Sequence, residues 1–563
     1  MQRISLRWLA GLAAISCSSG SPLDLPGDAD DILDGASGDG LVFHPPITGN
    51  IVGYDYQFDL ATGQATAGVD LQVVLPGGDC FATSFSLPAV SGATWNGTPA
   101  RSTMVTGNTI TICGNSVVAG GPLAITADVT VPKQTFLGLD VGFSTKQDLS
   151  GGTFSYLLSW IEGCSHFGPC DTAVSQLSSH HITVNHAASD VVLCPGELTA
   201  GSGTTECSIT NVLAPTYSSL AIASDPLWQK NDFVTAAGVH VWFYEVPAGR
   251  IARSLDKTSV AEFLTWITDL LGPYPYGSEL RVAGAPTRWL GFEHPANLIV
   301  DQRLPFSGPY QDSGMHVLMH ETIHQWSGDR TTIASVADFG WKEAIAEYLS
   351  YVFEDEHRAP EEAATSLLYW TAVGIQARHF LRPTDQPMPA IQDFYGDVYG
   401  SGPMMFVQLE SLVGRPAVLD GITHFLAAPG ARSFDELRAA LELSSGVGLA
   451  PYFNAWVFGA GTPEWPTFAI ATSQTGDLVT VTVTQQNASN KRYGCKLEVA
   501  VHGAASRAVA VVDFGVAPTS ATATATVTLA EPVVSTVVDP RHRVIGRVAG
   551  VPMQVKQVRV WPL

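Results

Sequence analysis

The spacing of apolar residues changes twice along this chain of 563 residues, and each change marks a different kind of fold. From about 48 to 226, apolar and polar residues alternate in short runs such as LAITADVTV, which is typical of β-strands. From about 239 to 465 the apolar residues recur at helical spacing, as in SVAEFLTWITDLLG, and afterwards the alternation returns. The sequence therefore predicts an antiparallel β saddle or sandwich over 48–234, a mostly helical α+β domain over 235–466 and a small β-sandwich over 467–563.

Two helices of the middle domain are predicted to begin at capping boxes. In this motif a serine side chain accepts a hydrogen bond from the backbone three residues on, and an acidic side chain there accepts one in return. Ser335 with Asp338, and Ser433 with Glu436, have this spacing.

The acidic composition excludes one class of partner. The chain has 29 lysines and arginines against 52 aspartates and glutamates, which gives a formal net charge of −23. Such a surface repels phosphate backbones, so we expect no nucleic acid partner. No run reaches the roughly 18 apolar residues that a membrane-spanning helix needs.

The first residues predict export. Two arginines, the apolar run WLAGLAAI and small residues form a signal peptide over 1–16, followed by an acidic Gly/Ser/Asp linker over 17–47. The run AISC also resembles a bacterial lipobox, in which the new N-terminal cysteine, here Cys17, is lipidated. We favour a lipoprotein anchored to a membrane, facing the periplasm or the cell surface, over plain secretion, and both interpretations stay open.

Six further cysteines lie close together in the N-terminal domain, and none has a CxxC spacing for zinc. In an oxidising compartment they predict three disulfides. Among fifteen connectivities we favour neighbour pairing, which gives Cys80–Cys113, Cys164–Cys170 and Cys194–Cys207. Cys495 is then left as a buried thiol.

The sequence HETIH carries the chemistry of the middle domain. On a helix, His320 and His324 project from one face, and Glu321 stands where a zinc peptidase needs its general base. Zinc also needs a third protein ligand and an open position, and Glu343 follows after eighteen intervening residues. These residues predict one Zn²⁺ per chain. His316, one turn upstream, could shift the ligand pair, but we favour a supporting or packed role for it.

HETIHQWSGDRTTIASVADFGWKE resembles the aminopeptidase N family of gluzincin zinc peptidases, whose hallmark is HExxH followed after eighteen residues by glutamate. The QW after the second histidine and the upstream LGPYPYGSEL are also similar to that family. Over about 48–563, the resemblance implies an N-terminal saddle, a thermolysin-like catalytic domain and a third, β-rich domain. It also implies zinc bound by two histidines and a glutamate.

Residues 290–294, LGFEH, resemble the exopeptidase signature Gly-x-Met-Glu-Asn of that family. The resemblance implies that Glu293 binds the α-amino group of the substrate, and that Gly291 and Phe292 lie along the peptide backbone. Three of the signature's residues are replaced. The family also places a glutamine near the substrate amine at the end of its saddle domain; Glu162 takes that place here, or Trp160 in another register.

VYGSGPMMFVQLESLVG resembles the start of the family's Tyr-x-x-Gly helix, whose tyrosine hydrogen-bonds the oxyanion. Tyr399 takes that place, with Gly402 as the glycine. Tyr395 is a competitor without a glycine three residues later.

The sequence thus predicts an exported zinc aminopeptidase that removes N-terminal residues from peptides with a free N-terminus. Two alternatives stay open. One is an endopeptidase on the same scaffold, favoured by the altered residues around Glu293. The other is a non-catalytic binding protein of the cell surface, which is disfavoured because every expected catalytic residue is present.

Overall fold

The first strand, Thr48–Asp59, shows why alternation in the sequence becomes a sheet. The computed structural model of the protein describes residues 46–75, 78–136, 140–305, 313–358 and 360–551. In this strand Ile51, Tyr56 and Phe58 are buried, whereas Asp55 and the other polar side chains face outward or are half-buried. The predicted signal peptide, most of the linker and Cys17 lie outside the described residues.

The N-terminal region is a sandwich of sheets. Phe58 of the larger sheet packs edge-on against Phe143 of the second, with ring centroids 5.1 Å apart, in a shared core. The eight-stranded sheet contains, in spatial order, Glu197–Ala200, Thr204–Pro215, Leu177–Asn185, Thr48–Asp59, Gln64–Leu75, Pro122–Thr130, Gly92–Trp95 and Thr98–Pro99. The five-stranded sheet contains Val191–Leu193, Ala221–Asp225, Thr153–Leu158, Val141–Gln147 and Gln134–Phe136. Cys80–Ser84, Thr109–Cys113 and Ser102–Thr106 form a three-stranded sheet.

The prediction of an antiparallel sheet needs one correction. Thr48–Asp59 and Leu177–Asn185 run parallel, although their other neighbours in the eight-stranded sheet are antiparallel. The three predicted disulfides are confirmed, Cys80–Cys113, Cys164–Cys170 and Cys194–Cys207. Cys495 is free and buried, as predicted, and burial raises the pKa of its thiol.

The middle region contains a five-stranded sheet covered by helices. Its strands, in spatial order, are Gln229–Ala236, Val239–Glu245, Glu279–Ala285, Asn297–Asp301 and Gly291–Phe292. Two short sheets pair Thr331–Ile333 with Gly430–Arg432 and Arg382–Pro383 with Phe458–Gly459. The longer helices are Lys257–Leu271, Ser313–Ile323, Phe339–His357, Pro360–Gly374, Ile391–Val413, Arg415–Phe425, Phe434–Ser445 and Ala450–Trp456. Single helical turns occupy Thr216–Ser219 and Ile251–Ser254.

Three of these helices carry most of the candidate site and are named accordingly. The HETIH helix is Ser313–Ile323, the Glu343 helix is Phe339–His357 and the Tyr399 helix is Ile391–Val413. No helix within the described ranges is both long and apolar enough to cross a bilayer.

One of the two predicted capping boxes is confirmed. Ser433 accepts from the amide of Glu436, and the Glu436 side chain accepts from the amide of Ser433. The box predicted at Ser335 is wrong, because its hydroxyl donates to the Asp338 carboxylate instead of capping a helix. The Asp338 side chain is engaged by distant residues, because its other oxygen accepts hydrogen bonds from Arg382 and from the amide of Phe434.

The C-terminal region is a smaller β-sandwich, as predicted. One sheet contains Thr522–Thr528, Leu478–Gln486, Thr467–Thr475 and Arg547–Val548; the other contains Arg507–Asp513, Lys496–His502 and Ser535–Val538. Its apolar side chains belong to the same core cluster as those of the helices. At the junction, Trp456 stacks on Trp465 with ring centroids 5.5 Å apart.

A buried carboxylate also ties the C-terminal region to the helices. Glu410, on the Tyr399 helix, accepts a hydrogen bond from the Tyr348 hydroxyl of the Glu343 helix. It is paired with Arg415 and with Arg543, which comes from the C-terminal region.

Candidate active site

The two histidines of HETIH meet where their helix ends. His320 lies in the last turn of the HETIH helix, and His324 follows directly after it. The Nδ1 of His324 donates to the carbonyl of Ser327 at 2.8 Å. That bond leaves Nε2 of His324 unprotonated in the neutral ring, which is the form that binds a metal. The Nε2 atoms of the two histidines are 3.0 Å apart.

Glu343 completes a group of three buried donors. Its Oε2 lies 3.3 Å from Nε2 of His320 and 3.3 Å from Nε2 of His324. A tetrahedral zinc with bonds of 2.0–2.1 Å separates its ligand atoms by about 3.3 Å. Oε2 is also buried without a hydrogen-bond partner among the described residues, which is costly unless a cation binds there. These three residues therefore fit a zinc ion.

His316 does not belong to this donor group. Its Nδ1 lies 2.7 Å from Glu354 Oε1, and its Nε2 lies 3.1 Å from Glu347 Oε2. Both ring nitrogens are therefore engaged, which favours the supporting role over the alternative ligand pair.

Glu321 points from the HETIH helix toward the edge strand Gly291–Phe292. A β-carbon at position 291 would collide with the Glu321 carboxyl, so only glycine allows the strand to approach this closely. Carboxylate oxygens of Glu293 and Glu321 and a ring nitrogen of His324 lie within 4.8 Å of one another. Burial raises the pKa of Glu321 to about 8, with His320 opposing the rise and Glu293 adding to it.

Tyr399 approaches the donor group from another helix. Its ring centroid is 6.2 Å from that of His320. Burial, and then the nearby carboxylates, raise the pKa of Tyr399 well above its usual value, so the hydroxyl keeps its proton and can donate. Gly402 allows this approach, because a β-carbon there would lie 2.9 Å from the β-carbon of Ala344 on the Glu343 helix. The competitor, Tyr395, instead packs against Trp160 and Trp289.

Lys342 is the site residue that the sequence analysis missed. Its Nζ lies 2.6 Å from Oε1 of Glu293 and 2.6 Å from Oε1 of Glu343, and its side chain is 2% exposed. Burial alone would raise the pKa of Glu293, but Lys342 and then His324 outweigh it, and that pKa lies below its usual value. The available signal was a lysine next to the third predicted ligand, in an otherwise apolar stretch of helix.

A short turn makes room for this lysine. Gly328, four residues after His324, has a φ of +127°, and a β-carbon there would lie 2.6 Å from Cε of Lys342. The Tyr217 hydroxyl of the N-terminal region donates to the carbonyl of Gly328 at 2.8 Å. This hydrogen bond therefore ties the turn at Gly328 to the N-terminal region.

Gln325 connects the HETIH motif to the segment that carries Glu293. Its Oε1 accepts from the Tyr274 hydroxyl and from the amide of Ala296, and its Nε2 donates to the carbonyl of His294. Two residues that follow Glu293, His294 and Ala296, are therefore tied to the end of the HETIH helix. The same glutamine links the QW of the motif to Tyr274 in LGPYPYGSEL.

Glu162 is not brought to the site in the same way. It is exposed, with a φ of +63°, and no hydrogen bond or ion pair within the described ranges links it to the residues above. Trp160, its alternative, is buried and lies 5.8 Å from Trp289, ring centroid to ring centroid. The role of Glu162 stays a prediction, as do the individual roles of His320, His324, Glu343, Glu321, Tyr399, Glu293, Gly291 and Phe292.

The residues of the candidate site lie in a part of the chain that is similar to a known peptidase family. Residues 290–456 match the peptidase family M1 domain. The chain is 26% identical over 159 residues to aminopeptidase N of Lactobacillus delbrueckii subsp. lactis, and 26% identical over 155 residues to the tricorn protease-interacting factor F2 of Thermoplasma volcanium. Each match covers 26% of this chain, and they span 19% and 20% of the respective relatives.

A solved structure extends the likeness to most of the chain. The crystal structure of Legionella pneumophila aminopeptidase A in complex with aspartic acid matches 90% of this chain and 60% of its own, with a TM-score of 0.71. At 15% identity this match shows the fold alone. Together the comparisons confirm the resemblance: residues 290–456 form an aminopeptidase N-like gluzincin metallopeptidase domain.

We predict that Lys342→Met destabilises the metal-free protein. The substitution keeps the methylene stem but leaves two buried carboxylates without their ammonium partner, a loss of about 3–5 kcal/mol. The measurement is the free energy of unfolding in denaturant, with the exposed Lys257→Met as the matched control. Equal stability of Lys342→Met and the control would contradict the role assigned to this ion pair.

Proposed function

We propose that the protein is an exported zinc-dependent aminopeptidase. The observation that carries the proposal is a group of three buried metal-donor atoms, from His320, His324 and Glu343, with the buried Glu321 carboxyl and the Tyr399 ring close to it. Zinc held by His320, His324 and Glu343 would supply a Lewis acid that polarises the scissile carbonyl and acidifies water. The relatives named aminopeptidase support the same reaction class.

Glu321 is placed to move the proton of the reaction. It lies beside the donor group and the edge strand, so in its ionised form it can take a proton from the attacking water and deliver it to the leaving amine. A zinc ion in the donor group would favour that ionised form, because a nearby cation lowers the pKa of a carboxyl group. Tyr399 keeps its own proton and donates a hydrogen bond to the oxyanion that develops on the substrate carbonyl. Loss of one such donor typically costs about 3–4 kcal/mol of transition-state stabilisation.

The strand Gly291–Phe292 is placed to hold the peptide. It is the edge strand of its sheet and pairs only with Asn297–Asp301 in the described part of that sheet. An extended peptide can add to such an edge by backbone hydrogen bonds. Glu293 follows at the end of this strand, where the first residue of a substrate would lie.

Glu293 can bind an ammonium group even though it is paired with Lys342. The pair uses Oε1, and a carboxylate has a second oxygen with lone pairs to offer. The pair also means that Lys342 already balances the charge of Glu293, so Glu293 does not need the charged N-terminus of a substrate. This observation specifically favours the endopeptidase as the second candidate.

The metal assignment predicts about one zinc per chain after dialysis. His324→Ala should lose most of this zinc and the peptidase activity, because it removes one of three ligands. Metal content and hydrolysis of aminoacyl fluorogenic substrates are measured on the same samples, before and after a strong chelator. The exposed His424→Ala is the control and should behave as wild type. Full activity in His324→Ala would refute the zinc site.

The aminopeptidase assignment predicts a preference for a free amine. N-acetylation removes the charge that pairs with Glu293, a loss of at least about 2 kcal/mol, or about 30-fold in kcat/KM. Glu293→Ala should lose most of this preference and keep its zinc, whereas the exposed Glu262→Ala should keep both. The measurement is the ratio of kcat/KM for matched free and acetylated peptides. A ratio near one in wild type, or internal cleavage of acetylated peptides, selects the endopeptidase.

The proposed lipid anchor at Cys17 has its own test. If this cysteine is lipidated, the protein partitions with membranes, and Cys17→Ala releases it to the soluble fraction. The net charge of −23 gives no attraction to anionic lipids, so the acyl chains would supply all of the affinity. Equal partitioning of both proteins in fractionated cells would leave plain secretion.

A further inference from the structure

Two rows of side chains, one on each of two helices, face each other next to the candidate metal site. His316 and His320 lie one turn apart on the HETIH helix, and Glu343, Glu347 and Glu354 lie on the Glu343 helix. Residues four apart on a helix share a face, so each row projects toward the other. One facing pair, His320 and Glu343, belongs to the candidate metal site. His316, Glu347 and Glu354, here called the support cluster, have no part in the reaction described above.

The support cluster forms a continuous chain of contacts that ends at His320. Oε1 of Glu347 lies 3.4 Å from Nδ1 of His320, and its Oε2 lies 3.1 Å from Nε2 of His316. Nδ1 of His316 lies 2.7 Å from Oε1 of Glu354. The side chains of Glu347, His316 and Glu354 are 13%, 18% and 5% exposed.

We propose that Glu347 is a positioning residue for His320, and that His316 and Glu354 hold Glu347 in place. The inference rests on the proposed zinc site. A histidine that ligates zinc through Nε2 carries its proton on Nδ1, and a carboxylate that accepts this proton orients the ring and strengthens the ligand.

The environment of His320 makes Glu347 the acceptor for this proton. Nδ1 of His320 is buried and accepts or donates no other hydrogen bond within the described ranges. A buried N–H without an acceptor is unfavourable, and the facing Glu347 oxygen is the carboxylate within 4 Å of it. The contact at 3.4 Å is long for a hydrogen bond, so a small rotation of the ring or the carboxylate is needed to complete it.

The other histidine of the site does not depend on a side chain. Nδ1 of His324 donates to the backbone carbonyl of Ser327, a contact that no side-chain substitution removes. His320 alone of the two is therefore oriented by a residue that mutation can change. Glu347 is the position at which one substitution tests ring orientation without removing a ligand.

The charges of the support cluster are consistent with this role. Burial lowers the pKa of His316, but the two carboxylates outweigh burial and raise it well above its usual value. An imidazolium between two carboxylates leaves one net negative charge on the support cluster, which lies next to His320. Ser366, from the following helix, donates to Oε2 of Glu354 at 3.4 Å and so holds the far end of the cluster.

Glu347→Gln tests the proposal on the full chain stripped of metal. Gln keeps the size of the side chain and weakens acceptance of the His320 proton, so we expect zinc to bind about 10–100-fold more weakly. Zinc affinity is measured by competition with a chromophoric chelator, and the cobalt-substituted proteins are compared by visible absorption. Glu356→Gln, an exposed glutamate of the same helix, is the matched control and should bind zinc as wild type. His316→Gln should weaken zinc binding less than Glu347→Gln, and Glu347→Asp should restore part of the affinity.

Four outcomes decide between these possibilities. Weaker zinc binding with a changed cobalt spectrum, and with a metal-free melting temperature near that of Glu356→Gln, supports the positioning role. Unchanged zinc affinity in Glu347→Gln overturns it, and so does a loss of affinity that merely follows a large fall in the metal-free melting temperature. If wild type itself binds no zinc, the proposed function fails first and this inference fails with it.

Discussion

The candidate site depends on one buried ammonium group. Lys342 holds one oxygen of Glu293 and one of Glu343, which would repel each other in a poorly solvated place. By taking Oε1 of Glu343, it turns Oε2 toward the two imidazoles. The glycine turn after the second histidine exists because the lysine stem fills the space that a side chain would need. Glu343, Glu293 and the turn at Gly328 therefore share one cation.

Much of this site could be predicted from the sequence, and the limit has a physical reason. His320 and His324 are related by the period of a single helix, so their spacing alone places them together. Lys342 reaches Glu293 beyond the edge strand, and Glu347 reaches His320 on another helix; a sequence does not contain these distances. The prediction for Glu162 rested on the family resemblance alone, in which Trp160 was the alternative register. The need for a third zinc ligand and the family resemblance both indicated Glu343, and the resemblance indicated Tyr399, whereas the contacts that support these residues are seen only in the structure.

The fold was predictable in outline for a similar reason. Alternation and helical spacing are local, and they indicated a β-rich, a mostly helical and a second β-rich region in the order that the structure has. Alternation does not distinguish parallel from antiparallel neighbours, so the pairing of Thr48–Asp59 with Leu177–Asn185 could not be anticipated. The cap expected at Ser335 failed because Asp338 has stronger partners from distant segments, Arg382 and the amide of Phe434. Tertiary contacts overrode a local rule there.

The ties between helices and C-terminal sandwich have a consequence for dissecting the protein. A cut near residue 466 follows the change in sequence pattern, but it would separate Arg543 from Glu410, a buried acid on the helix that carries Tyr399. It would also remove Tyr493, whose ring packs against the buried indoles of Trp456 and Trp465. The change of sequence pattern therefore falls inside one packed core, and a fragment that ended there would lose a buried ion pair on the helix that carries Tyr399.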